Sequence, residues 1–426
     1  MNKTYNKQFN ETYYSKTLAS GLKVILFDKH EFHNNFFTLI TPYGSSDFKQ
    51  KDASGNTYHL PPGVAHFLEH RMFDYKGFDV MERFTELGAS SNASTGYDQT
   101  QYYFSTTNSD FKEPLKLLLD YVFDLTIPFE TVEKEKGIII EELMMYDAMP
   151  DFRLYFGAIK NLYNELPYRE EIGGSVASVS ATTLEDLELA YKLNYHPEQM
   201  YLVGATNNDI AETFAYIENI MQEKTFVEYA PMERDYLAEV DQVRVAYEEV
   251  EMDINKQKVA IAYKFRHNVE DVMEIDKIEN LLDIYFDMLF SSVNPDYQDW
   301  LDQGIINDYF DLDITVDSIF GHLVFSAETD NISEFEALIE SVMANDNQYI
   351  SEAKFKQLQK RFIGRAIMAL EKPGTIAQVY GRNIAQTIDI FESINQAKSF
   401  TLADLIKLKD SLDLLAHKST YVIKAK

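Results

Sequence analysis

The residues best suited to chemistry in this sequence are His66, Glu69 and His70, within Pro62-Gly63-Val64-Ala65-His66-Phe67-Leu68-Glu69-His70-Arg71-Met72-Phe73. On a helix, positions three and four apart share a face, so these three side chains project together. Val64, Leu68 and Met72 then form an apolar stripe on another side. Pro62 suits a first helical turn, where its missing N–H costs nothing. Two neutral imidazoles one turn apart can share a zinc ion at about 2.0–2.1 Å per bond. Glu69, directly before the second imidazole, is then placed to take a proton from water activated by the metal. Such a centre needs a third ligand.

Acids that could supply it lie in the stretch from Glu130 to Tyr146. Glu135 and Glu142 are seven positions apart, two helical turns on nearly the same face. Glu141 is equally acidic and adjacent, and spacing alone does not choose between Glu141 and Glu142. With no cysteine in 426 residues, thiolate zinc sites and disulfides are both excluded. His and carboxylate are left as the strong ligands.

His-x-x-Glu-His, followed about seventy residues later by Glu-x6-Glu on a second helix, resembles the pitrilysin/insulinase family of zinc peptidases. The resemblance implies His66, His70 and Glu142 as ligands of one zinc per chain, Glu69 as the catalytic base and Glu135 as its helper behind the ligands. It also implies that the strand containing Asn92 and Ala93 is an edge that pairs with the substrate backbone, β-augmentation in physical terms. The implied activity is zinc-dependent endopeptidase action on peptides or small unfolded polypeptides inside a chamber. Insulinase-type enzymes that build the chamber from one chain join four such domains. Two domains imply a second subunit, in a homodimer or in a heterodimer with a related chain. The alternative, from a different class, is a non-catalytic or partner-dependent binding subunit of a peptidase-like assembly. Family members also hold substrate with an Arg and a Tyr in the half without metal. Arg266, Arg361, Arg365 and Arg382 are candidates here, none in a legible motif.

Composition sets the frame for these elements. Hydrophobic residues make up 45% and aromatics 14%, enough for a sizeable core. A net charge of −30 argues against nucleic acid as a partner, because a polyanion is repelled. It fits a solvated acidic surface and is compatible with cationic or neutral peptides. Met1 to Lys16 is polar and reads as no signal peptide, and no apolar run approaches the ~20 residues of a membrane span. The expected compartment is the cytoplasm.

Along the chain, Leu18 to Thr41 reads as a β-hairpin or ribbon, and 51–60 as a polar loop leading to the metal helix. Asp79 to Leu87 reads as a helix closed by Gly88, and 89–105 as two strands around a turn at Gly96-Tyr97-Asp98. Helices follow at 115–125, 130–146, 151–163, 184–193 (with Thr183 as N-cap) and 210–221, and a strand at 200–205. Neither period persists from 222 to 242, which is the expected linker between a metal-bearing domain, 1–221, and a related domain without metal, 243–426. The second half echoes the first: 101–111 is matched by 322–332 at an offset of 221, and an amphipathic helix follows each. That offset lands Glu135 on Lys356 and Glu142 on Ile363, and the helix at 275–290 contains no histidine. The expected fold class is α+β, with two tandem related domains facing each other across a cleft. Each is a mainly antiparallel sheet covered by helices.

Overall fold

The computed structural model describes residues 1–107, 111–235, 238–318 and 320–426. In chain order the strands of the two main sheets are β1 (Asn2–Asn6), β2 (Glu11–Thr17), β3 (Lys23–Asp28), β4 (Asn35–Thr41), β5 (Ala89–Thr95), β6 (Thr100–Thr106) and β7 (Tyr201–Thr206). They continue with β8 (Tyr247–Met252), β9 (Lys258–Arg266), β10 (Asp311–Val316), β11 (Phe320–Glu328) and β12 (His417–Ala425). The helices that position the site are α1 (Val64–Met72), α2 (Val80–Glu86), α3 (Lys112–Val122), α4 (Phe129–Asp147) and α5 (Pro150–Leu162). Their later relatives are α6 (Val272–Phe290), α7 (Ile332–Ala344), α8 (Glu352–Leu370) and α9 (Pro373–Ala385).

The fold is α+β, as expected, with one large sheet in each of two compact units. The first unit comprises Met1–Leu143, Glu170–Tyr236 and Ile367–Ile390; the second comprises Met144–Arg169, Leu237–Ala366 and Phe391–Lys426. In the first, the order is β1-β2-β3-β7-β4-β6-β5; in the second it is β8-β12-β9-β11-β10. The last five strands of the first order match the second pairing for pairing. β3·β7 and β8·β12 are parallel, and every other neighbour is antiparallel. The internal repeat read from the sequence is therefore present in the topology, although residues 108–110 of the echoed stretch lie outside the described residues.

Three details differ from the expectations. β3 and β4 are both strands, but not a hairpin: β7 lies between them, parallel to β3 and antiparallel to β4. Their near-continuous apolar text, Val-Ile-Leu-Phe in one and Phe-Phe-Thr-Leu-Ile in the other, is that of central strands buried on both faces. Residues 51–60 are not all loop, because Lys49–Asp52 pairs with Thr57–His59. Pro62 precedes the helix instead of opening it, since α1 starts at Val64 behind an N-cap at Gly63.

The two halves of the chain exchange helices between these units. α5, from the first half of the chain, packs on β9 and β12 of the second unit; α9, from the second half, packs on β4 and β7 of the first. These are equivalent positions in the two sheets. Each helix begins at a proline and approaches its sheet through a glycine. A Cβ on Gly157 would lie 2.4 Å from the Tyr421 ring, and one on Gly381 2.3 Å from Ile40. α4 and α8, which lead into them, are both 19 residues long and begin 223 positions apart, at Phe129 and Glu352. Aligned on these helices, Glu135 corresponds to Leu358 and Glu142 to Arg365, two positions on from the offset of the strand echo.

Each sheet has its own apolar core. Phe37, Leu39, Phe67, Leu68, Phe84, Tyr102 and Phe104 are fully buried in the first, and Ile261, Leu289, Phe325 and Phe335 in the second. Thr183 does cap the following helix, in a reciprocal box with Asp186. Among the described residues no helix is long and apolar enough to cross a membrane.

Candidate metal centre

α1 lies in the first unit with Phe67, Leu68 and Met72 buried in the core, which turns His66, Glu69 and His70 to its half-buried side. Its entry is fixed by Gly63, whose φ of +87° is left-handed and where a Cβ would lie 2.3 Å from the Gly173 carbonyl. α4 supplies Glu135 and Glu142. His66 Nε2 lies 3.8 Å from Glu142 Oε2, and His70 Nε2 lies 3.4 Å from the same oxygen. One ligand atom from each of His66, His70 and Glu142 falls within 4.8 Å of the others, the one such group of His, Asp or Glu among the described residues. Of the adjacent acids Glu141 and Glu142, it is Glu142 that falls in this group.

The electrostatics suit a cation. Burial, aided by the neighbouring His70, lowers the His66 pKa to about 4, so that ring is neutral near pH 7 with a lone pair to give. Its Nδ1 is buried without a hydrogen-bond partner, which leaves the other nitrogen as the one turned to Glu142. His70 Nδ1 lies 3.0 Å from Glu135 Oε1. With that carboxylate ionised, Nδ1–H donates, and Nε2 keeps the lone pair facing Glu142. Burial alone would lower the His70 pKa; the Glu135 bond and the charges of Glu69, Glu135 and Glu142 outweigh it and leave it raised. Glu135 is held below its ordinary range because bonds from His70 and Arg71 overcome its burial. Two histidines and one carboxylate, with a fourth position left open, are the donor set of a catalytic zinc site. The residues present fit the ion.

Glu69 stands beside this group. Burial pushes its carboxyl up, opposed by a hydrogen bond from Thr95 and by His70, and Glu142 adds to the rise. Thr95 Oγ1 donates to Glu69 Oε2 at 2.9 Å. Thr95 ends β5, which among the described residues pairs only with β6 and so forms the open edge of the sheet. Asn92 and Ala93 lie on this edge strand. Asn92 is exposed, and its Oδ1 accepts the Ala93 N–H at 2.9 Å.

Two participants escaped the reading of the sequence. Arg71, 4% exposed, donates through one guanidinium nitrogen to Glu135 Oε2 at 2.8 Å and through another to Asp74 Oδ2 at 2.6 Å. It thereby fixes the carboxylate that orients His70. No periodicity marks its partner 64 residues away. Thr95 carried a usable signal: it lies two positions beyond Ala93, on the same face of the strand.

With this geometry in view, the relatives are informative. Residues 56–174, which span both helices, match the family model described as "Insulinase (Peptidase family M16)". Over 400 residues, 94% of this chain and 93% of the relative, the sequence is 31% identical to "Uncharacterized zinc protease YmfH" of Bacillus subtilis (strain 168). The chain belongs to the insulinase family, peptidase family M16. The M16 fold extends through the chain. An M16-like chain from Alicyclobacillus acidocaldarius, 28% identical, superimposes with a TM-score of 0.91 over 98% of this chain and 99% of that one. The M16 inactive domain from Pseudomonas fluorescens, at 14% identity, shares the fold with a TM-score of 0.75 over 97% and 98%.

Proposed function

We propose that this M16 chain is a zinc-dependent endopeptidase acting on peptides or small unfolded polypeptides, with one zinc per chain, in a chamber completed by a second subunit. The observation that carries this reading is the convergence of His66, His70 and Glu142 from two helices, with Glu69 alongside. When bound, zinc supplies Lewis-acid polarisation of the scissile carbonyl and activation of water near neutral pH. Glu69 takes the proton from the attacking water on its carboxylate and delivers it to the leaving amine. Its tendency to hold a proton, raised by burial, suits a group that must both accept and return one. Glu135 and Arg71 orient His70. The substrate pairs as an extended strand with the open edge at Asn92 and Ala93, so backbone hydrogen bonds dominate its binding and side-chain selectivity is low.

The test is a peptide-library digest of the zinc-loaded protein beside its Glu69→Gln variant, alone and with candidate partner subunits. The variant is expected to retain zinc and lose cleavage. Undiminished turnover in Glu69→Gln removes the assigned mechanism, and an inert, metal-free wild type supports a binding subunit without turnover.

A further inference from the structure

We propose that Thr95 is a positioning residue that couples peptide pairing on the edge strand to the carboxylate of Glu69; this rests on the peptidase reading above. In an antiparallel pair, successive residues turn their N–H and C=O groups alternately toward the partner strand and away from it. Gly96 donates its N–H to the Gln99 carbonyl at 2.8 Å, which puts 96, and with it 94, 92 and 90, on the side bonded to β6. Ser91, Ala93 and Thr95 therefore turn their backbone groups to the open edge. The Ala93 N–H agrees with this, because Asn92 Oδ1 accepts it at 2.9 Å. Side chains stand perpendicular to these backbone groups, and those of 91, 93 and 95 share one face. On that face Thr95 Oγ1 meets Glu69 Oε2 at 2.9 Å.

Thr95 thus acts in two directions at the end of the edge. Its backbone is offered to an extended peptide, and its hydroxyl holds the base. A peptide that bonds to Thr95 fixes the same residue that aims Glu69, so binding along the strand and alignment of the proton acceptor occur together. Ser91 and Ala93 point to the same face, but alanine has no donor to offer, and Ser91 Oγ is buried without a partner.

The experiment compares Thr95→Val and Thr95→Ser with wild type and Glu69→Gln, all zinc-loaded and checked for zinc content and melting temperature. Valine keeps the shape and the backbone but removes the donor. Thr95→Val is expected to lower kcat about tenfold or more, with KM and zinc content near wild type, and Thr95→Ser to recover most of the loss. Independently of turnover, an extended peptide should bind Glu69→Gln and the Glu69→Gln/Thr95→Val double variant with equal affinity, because the edge N–H remains. The coupling is overturned if Thr95→Val keeps kcat, if serine does not rescue, or if peptide affinity falls in step with kcat. If wild type cleaves and Glu69→Gln does not while Thr95→Val stays active, only the coupling falls. If wild type cleaves nothing, the peptidase reading falls with it.

Discussion

The two units are the same design with opposite charge at one place. In the first, α1 packs on the edge strand β5, and α4 brings Glu142 to His66 and His70. In the second, α6 packs on the edge strand β10 in the same way, and α8 brings Arg365 to a cavity of about 440 Å³ that Asp283 and Asp287 of α6 also line. Even the tie between helix and strand end is kept. Thr95 bonds to Glu69 in one unit, and the Val316 N–H donates to Glu279 at 3.0 Å in the other. Imidazoles facing a carboxylate leave lone pairs directed at a common point, an arrangement that suits a cation. Acids facing guanidinium groups satisfy each other, as Arg361 and Asp287 do. The shared fold therefore does not by itself make a metal centre; in the proposed reading three side chains on it do.

The largest expected contrast is in metal binding. His66→Ala or Glu142→Gln should take bound zinc from one per chain to near none by elemental analysis, and Arg365→Ala should leave it unchanged. Zinc lost on altering the second unit would break the comparison.

Turnover sharpens it next. Glu69→Gln should lower kcat by about 10²–10⁴-fold, the usual worth of a positioned acid–base group. Glu279→Gln, at the corresponding helix–strand tie, should stay within about twofold, consistent with a role outside the chemistry. Comparable losses in both would mean that the second unit takes part in the reaction.

Arg71→Met should fold and retain the three ligands but bind zinc about 10–100-fold more weakly, as expected when the group fixing a ligand's orientation is lost. Competition titration with a chromophoric chelator measures this. Arg71→Lys should recover only part, because it cannot span Glu135 and Asp74 in one fork.

The smallest effect is on stability, and it has a sign. Burial, together with Asp283, Asp276 and Asp313 and against the Val316 bond, raises the Glu279 pKa from 4.5 to about 7. The folded chain thus holds this proton more tightly than the unfolded chain. Folding gains as pH falls through about 7 toward 4.5 and loses as pH rises. Glu279→Gln, whose side-chain carbonyl can still accept from Val316, should stabilise the protein by on the order of 1 kcal/mol at pH 8, allowing for partial exposure. The advantage should vanish near pH 4.5 in denaturant titrations. A constant difference across pH would show that Glu279 is not strained by its charge.

The sequence made the site legible where chemistry is local. His66, Glu69 and His70 lie within one and a half turns, so helical periodicity alone brings them together. Singling out Glu142 needed family resemblance, because Glu141 has the same chemistry one position away. Arg71 was illegible because its meaning lies in a partner 64 residues distant. The same holds for the fold. Buried strands announced themselves by apolar runs, but insertion of β7 between β3 and β4 is a long-range pairing that no local pattern carries. The exchange of α5 and α9 was hidden for the same reason, since the glycines that permit it act only on the strands they meet.

The most direct test is anomalous diffraction at the zinc edge from crystals of the zinc-loaded chain. A single strong peak per chain, about 2.0–2.2 Å from nitrogens of His66 and His70 and an oxygen of Glu142, is the result predicted. A peak on other residues, or full zinc occupancy with Glu142 turned away from both imidazoles, would contradict it.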